Sequence, residues 1–164
     1  MDSVDHIIIE AVPLPTDEVR VLISELDRTL AAEYPPEQRH GLALDAIFQP
    51  HIRFFLARLN GVAVGCAGVA LFVDYAEVKR MFVRESARGR GVAQALLARI
   101  EAAAREAGLT ELSLETGDQQ LAAIRVYERA GFQRCDAFGA YAAMAPHAIA
   151  TSVFMAKPLT TSAV

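Results

Sequence analysis

The sequence predicts a mixed α/β domain built on a central, mostly antiparallel sheet flanked by about four helices. Three observations lead there. Two strand-like segments meet at Asn60-Gly61 alone, a pairing typical of a two-residue hairpin turn because both residues must take positive φ. Beyond that hairpin the apolar period lengthens from two to about 3.6, over Gly91 to Ala107 and again over Gln119 to Ala130. Between those helices Leu112-Ser113-Leu114-Glu115 alternates as a short strand, so a β-α-β half follows a hairpin-built half.

The remaining elements follow in order. His6 to Val12 is a β-branched run that Pro13 and Pro15 end. Thr16 offers an N-cap, Asp17 and Glu18 suit the helix dipole, and Val19, Leu22, Ile23 and Leu26 recur at helical spacing. That helix runs to about Glu33, where Tyr34-Pro35-Pro36 breaks it. Glu37 to His51 reads equally as a short helix or a packed loop. Ile52 to Leu59 and Val62 to Asp74 form the hairpin, and Glu77 to Val83 is a third strand of the meander. In the next helix Val92, Leu96, Ile100, Ala103 and Ala107 share a face, Glu101 and Arg105 pair outside it, and Gly108 caps its end. Phe132 to Cys135 and Ser152 to Pro158 supply two last strands.

The 164 residues, 53% hydrophobic and 22% charged, suffice for one folded domain over 1–164 and exclude disorder. A net charge of −4 argues against a nucleic-acid partner. Cys66 and Cys135 form neither a disulfide framework nor a zinc pair. His6, His40, His51 and His147 have no ligand spacing, so no metal is expected. The apolar run Gly61 to Val73 is shorter than the roughly 20 residues that span a bilayer, and the first residues lack signal-peptide character. The expectation is a cytoplasmic protein without a membrane partner.

Chemistry concentrates between Lys79 and Ala93, where a strand runs through a Gly-containing turn onto a helix. First-turn N–H groups and the helix dipole make that turn an anion site, and Gly89 and Gly91 let a phosphate approach the backbone. Five basic side chains and one acid, Glu85, lie between residues 79 and 90, which reads as a local phosphate-sized patch. The P-loop pattern is absent. A dinucleotide fingerprint fits at Gly89 and Gly91, with Glu115 as its ribose acid, but Gln94 occupies the third glycine position.

Arg88-x-x-Gly91-x-Ala93 resembles the Gln/Arg-x-x-Gly-x-Gly/Ala signature with which the GNAT superfamily of N-acetyltransferases cradles a pyrophosphate. Gln120 to Phe132 resembles that family's second motif, with Ala123, Tyr127, Gly131 and Phe132 in register and Gln120 replacing the more usual Asn. The resemblance covers about Ile52 to Phe132.

It implies direct transfer of an acetyl group from acetyl-CoA to a primary amine of a small molecule or amino acid, without an acyl-enzyme. It implies a sheet splayed between the strand ending at Val83 and the strand near Leu114. The backbone of Met81, Phe82 and Val83 would bind the pantetheine arm, and an N–H near Phe82 would face the thioester oxygen. Arg88, Gly89, Arg90, Gly91, Val92 and Ala93 would hold the pyrophosphate, and Gln120 would contact the cofactor arm. Tyr127 would protonate the departing thiolate, which is sensible for a phenol of reference pKa about 10 against a thiol of about 8.5. Glu77 is the candidate base, with Glu33, Asp45 and Glu115 as alternatives. Acceptor recognition would fall to Tyr34 to His51 and Asp136 to His147, with Tyr34 and Phe138 as its contacts. The absence of charge from Ala137 to Ala156 suits a small, partly apolar amine. The family likeness also allows a homodimer. A non-catalytic acyl-CoA sensor and a dinucleotide-dependent oxidoreductase are the alternatives.

Overall fold

The computed structural model describes residues 3–160. Strand β1 (Ile7–Ala11) leads into helix α1 (Asp17–Glu33), whose N-cap Thr16 accepts the Val19 N–H at 3.3 Å. After the double proline, the ambiguous stretch resolves into a 3-10 turn (Pro36–Gln38) and a single helical turn, α2 (Leu44–Ile47). Strands β2 (Ile52–Leu59) and β3 (Val62–Leu71) join through Asn60 and Gly61 at φ 51° and 87°, the expected double-positive turn. β3 stops short of Asp74 because the Phe72 N–H donates to Tyr75 O at 3.0 Å and turns the chain into β4 (Ala76–Val83). There follow α3 (Val92–Glu106), β5 (Glu111–Gly117), α4 (Leu121–Arg129), β6 (Gln133–Arg134) and β7 (Ser152–Pro158).

The seven strands form one sheet in the order β1-β2-β3-β4-β5-β7-β6, antiparallel except between β4 and β5. Both faces are covered, which explains the unbroken apolar run Phe54-Phe55-Leu56 in β2. Phe55 and Ala57 pack with Leu96, Ile100, Leu112, Leu114 and Met155 on the α3 side. Phe54 and Leu56 pack with Val19, Leu22, Ile23 and Ile47 under α1 and α2. Close neighbours leave little room for a side chain at the glycines of β3. A Cβ on Gly65 would lie 2.8 Å from Phe82 O.

Two departures from regular pairing create the site. Cys66 pairs with Phe82 and Gly68 with Lys79, so Arg80 and Met81 together face Ala67 across a β-bulge, with Arg80 at φ 53°. β4 and β5 then pair only at Ala76–Leu112 and Glu77–Ser113. β5 continues against β7 as far as Gly117, while β4 continues against β3 to Val83. The two strands diverge, and the edge of β4 from the bulge onward is left unpaired toward β5.

Candidate active site

The wedge between β4 and β5 opens into a cleft of about 590 Å³. Met81, Phe82 and Val83 line it from the β4 edge, Arg88, Gly89 and Gly91 from the turn, Val92 and Ala93 from α3, and Gln120 and Tyr127 from the α4 end. Two motifs about 30 residues apart in sequence therefore meet on one cavity. Gly91 forms the N-cap of α3 at φ 87°, and no side chain caps the helix. The first intrahelical bond is Ala95 N–H to Gly91 O, so the N–H groups of Val92, Ala93 and Gln94 find no acceptor among the described residues. A Cβ on Gly89 would meet nothing within 4 Å, and Gly89 takes φ 76°, so backbone conformation and open space both favour glycine there. Free first-turn amides beside an open concavity fit a pyrophosphate.

The basic patch read from the sequence does not form. Lys79 pairs with Glu77, Arg80 with Asp27, Arg84 with Glu25 and Arg90 with Asp5. Arg88 is the one of the five that both lines the cleft and lacks a carboxylate partner among the described residues. Its Nε donates to Val83 O at 3.2 Å. Arg90 does not line the cleft with its side chain. Further positive charge comes instead from Arg125 and Arg129 of α4, which the sequence reading missed. Their spacing of four on the helix was the available signal.

A smaller pocket of about 110 Å³ adjoins this cleft, and Tyr127, Met81 and Gln120 line both. Tyr127 is 5% exposed and its hydroxyl has no hydrogen-bond partner among the described residues. Burial, with the nearby Glu115 carboxylate, pushes its phenol upward, so it stays protonated at neutral pH. Glu77, only 3% exposed, accepts from the Tyr141 hydroxyl at 2.8 Å and pairs with Lys79 Nζ at 2.8 Å. Lys79, itself half-buried, also donates to the Tyr141 hydroxyl at 3.1 Å, closing a triangle with the buried Glu77 and Tyr141. Glu115 accepts from Ser152 Oγ at 2.6 Å, and burial raises its carboxyl above the usual range.

The other named residues divide. Tyr34 lines the smaller pocket, but its hydroxyl is committed to the Gln119 N–H at 2.8 Å. Phe138 does not line the pocket. It stands behind Tyr141, edge-on to Tyr75, Tyr141 and Phe154 with ring centres 5.3–5.7 Å away. Tyr141, three residues later, is the aromatic that reaches the pocket. Glu33 lies at the larger cleft, where it accepts from Gln120 Nε2, and Asp45 lines neither cavity.

The family model of the acetyltransferase (GNAT) family matches residues 20–132. An IAA acetyltransferase from Azospirillum brasilense is 46% identical over 145 residues, covering 87% of this chain and 92% of that protein. A crystal structure described as an acyl-CoA N-acyltransferase from Klebsiella pneumoniae superposes with a TM-score of 0.73 at 34% identity, covering 94% of this chain and 98% of that one. The PaiA N-acetyltransferase of Thermoplasma acidophilum, solved in complex with coenzyme A, shares the fold at 16% identity and a TM-score of 0.67, over 93% and 99% of the two chains. The unpaired β4 edge, the open first turn of α3 and these likenesses agree, and the chain belongs to the GNAT family of acetyltransferases.

Proposed function

We propose that the protein transfers an acetyl group from acetyl-CoA directly to a primary amine of a small molecule or amino acid. The observation that carries this reading is the position of Tyr127, buried at the junction of a large cleft with open helix amides and a small pocket with two carboxylates. The pyrophosphate lies against the N–H groups that follow Gly91, with Arg88 beside it. The pantetheine arm runs along the unpaired β4 edge as an added strand would. This brings the thioester carbonyl to the bulge, where a backbone N–H stabilises the oxyanion.

The amine enters from the smaller pocket and must first lose a proton. Glu77 is the proposed base, and Glu115, made more basic by burial, is the second carboxylate within the same pocket. The amine nitrogen then attacks the carbonyl carbon, a C–N bond forms, and the C–S bond breaks. Tyr127 gives its hydroxyl proton to the departing thiolate and recovers one from the nitrogen, which sheds its second proton as the amide forms, so the amide and coenzyme A, as the free thiol, leave with Tyr127 restored. The test is thiol release by the purified protein. Release that needs both acetyl-CoA and a primary amine, with an acetylated amine recovered, is the expected result. Release unaffected by every amine tried contradicts the reading.

A further inference from the structure

Resting on the amine-acetylation reading, we propose that the acceptor also carries a carboxylate, received by Arg39 on the loop side of the smaller pocket, so that the acceptor class is an amino acid rather than a plain amine. The inference comes from the charges that line this pocket. Lys79 is neutralised by Glu77 at 2.8 Å, and Arg80 is neutralised by Asp27. Arg39 has no ion pair among the described residues. Its Nε is enclosed by the protein and donates to nothing. Glu37, the acid nearest in sequence, is turned instead to His147 at 3.4 Å. On the sheet side, Glu115 is held only by the Ser152 hydroxyl. Arg39 and Glu115 thus stand in one cavity of about 110 Å³ without a direct ion-pair partner among the described residues, with Glu37 near the first and Lys79 and His40 near the second. A zwitterion with an ammonium and a carboxylate is the complement of Arg39 and Glu115.

Local structure aims Arg39. Gln38 Nε2 donates to His147 O at 3.1 Å and His40 Nε2 lies 2.7 Å from Ala148 O, so both flanking side chains are pinned to the segment before β7. The backbone at Arg39 is extended, at φ −103° and ψ 124°, and Arg39 lines the smaller pocket beside the pinned Gln38 and His40. Gly41 presses the same loop onto Arg80, whose Nη1 would lie 1.7 Å from any Cβ there. Arg80 is 8% exposed, and its Nε is the second enclosed donor without an acceptor. Enclosed N–H groups of this kind mark places where a ligand or water supplies the missing acceptor. A carboxylate suits the flat guanidinium fork. A phosphate fits less well, because its second charge would share the pocket with Glu77 and Glu115.

The test compares the standard amino acids with their amides as acceptors, using the full chain and acetyl-CoA. The acids should exceed their amides in kcat/KM by about 10- to 150-fold, the worth of a charge-assisted hydrogen-bonded contact. Arg39→Gln should remove that preference by raising KM, and Arg39→Lys should keep part of it. Both variants should bind acetyl-CoA as the unaltered protein does, since Arg39 does not line the larger cleft. Amides used as well as acids by the unaltered protein overturn the proposal, whatever the variants do. If no amine is acetylated, calorimetric titration of the same acids into protein saturated with coenzyme A decides the matter. Binding that Arg39→Gln abolishes upholds the carboxylate site while removing the transferase reading, and absence of binding removes the carboxylate site.

Discussion

Replacing Tyr127 by Phe removes one oxygen and leaves the ring. That ring fills the core beneath α4, edge-on to Phe132 at 5.8 Å, and both contacts persist in the variant. Because the hydroxyl has no protein partner among the described residues, its loss strands no donor or acceptor. Stability should change by no more than about 0.5 kcal/mol, or about 2 °C in Tm. The chemical step should suffer far more. A positioned general acid contributes about 10²- to 10⁴-fold, equivalent to about 2.7–5.5 kcal/mol of barrier. The assay is steady-state thiol release at saturating acetyl-CoA, with the acetyl-CoA Kd measured separately by calorimetry. The expected variant has a low kcat, an unchanged Kd and an unchanged Tm. Burial pushes the Tyr127 phenol above its ordinary value, so in the unaltered enzyme its ionisation should place no alkaline limb below about pH 10. A Tyr127→Phe enzyme with kcat within about threefold of the original refutes the acid role outright.

Other outcomes follow from the same geometry. Gly91→Glu puts a carboxylate at the free amides of α3 and strains a φ of 87°, so acetyl-CoA should no longer raise Tm. The unaltered protein should gain roughly 5–11 °C at ligand near 100 times Kd, and NADH should shift neither protein, which separates the dinucleotide alternative. Gly117→Ala would set a Cβ 2.1 Å from the Tyr34 hydroxyl, and should cost about 2 kcal/mol and lower Tm by about 4–8 °C. The same change in a Tyr34→Ala background should add almost nothing, and a full additional loss there would disprove the clash. Burial raises the Glu115 carboxyl, so the folded state holds this proton more tightly than the unfolded chain does. Stability should therefore fall as pH rises from the ordinary value near 4.5 through the raised one. Glu115→Gln, which retains an acceptor for Ser152, should flatten that part of the melting profile, and an unchanged slope would show that the carboxylate is not disfavoured.

Local signals were read well from the sequence because they rest on local physics. Asn60-Gly61 fixes its hairpin through two positive φ values, and Thr16 starts α1 through a bond three residues away. The anion turn is similar: Gly91 both ends a loop and leaves the next amides open. The misreadings concern partners remote in sequence. Arg80 and Arg84 look like phosphate ligands beside Arg88, yet Asp27 and Glu25 of α1 neutralise them across more than 50 residues. No periodicity reports such a pairing. Arg80 at φ 53° likewise has no sequence signature, although the bulge it forms shapes the site. The position of Phe138, the residue named from the sequence, behind Tyr141 has a related cause. Both belong to one short aromatic stretch, and only the 3-10 turn at Gly139–Ala143 decides which ring reaches Glu77 and which packs behind it.

A crystal structure of the chain with coenzyme A tests the account most directly. The pyrophosphate should lie on the N–H groups of Val92, Ala93 and Gln94, the pantetheine along Met81 to Val83, and the sulfur within about 3.5 Å of the Tyr127 hydroxyl. Coenzyme A bound away from the β4–β5 wedge, or bound there with its sulfur beyond reach of Tyr127, would contradict it.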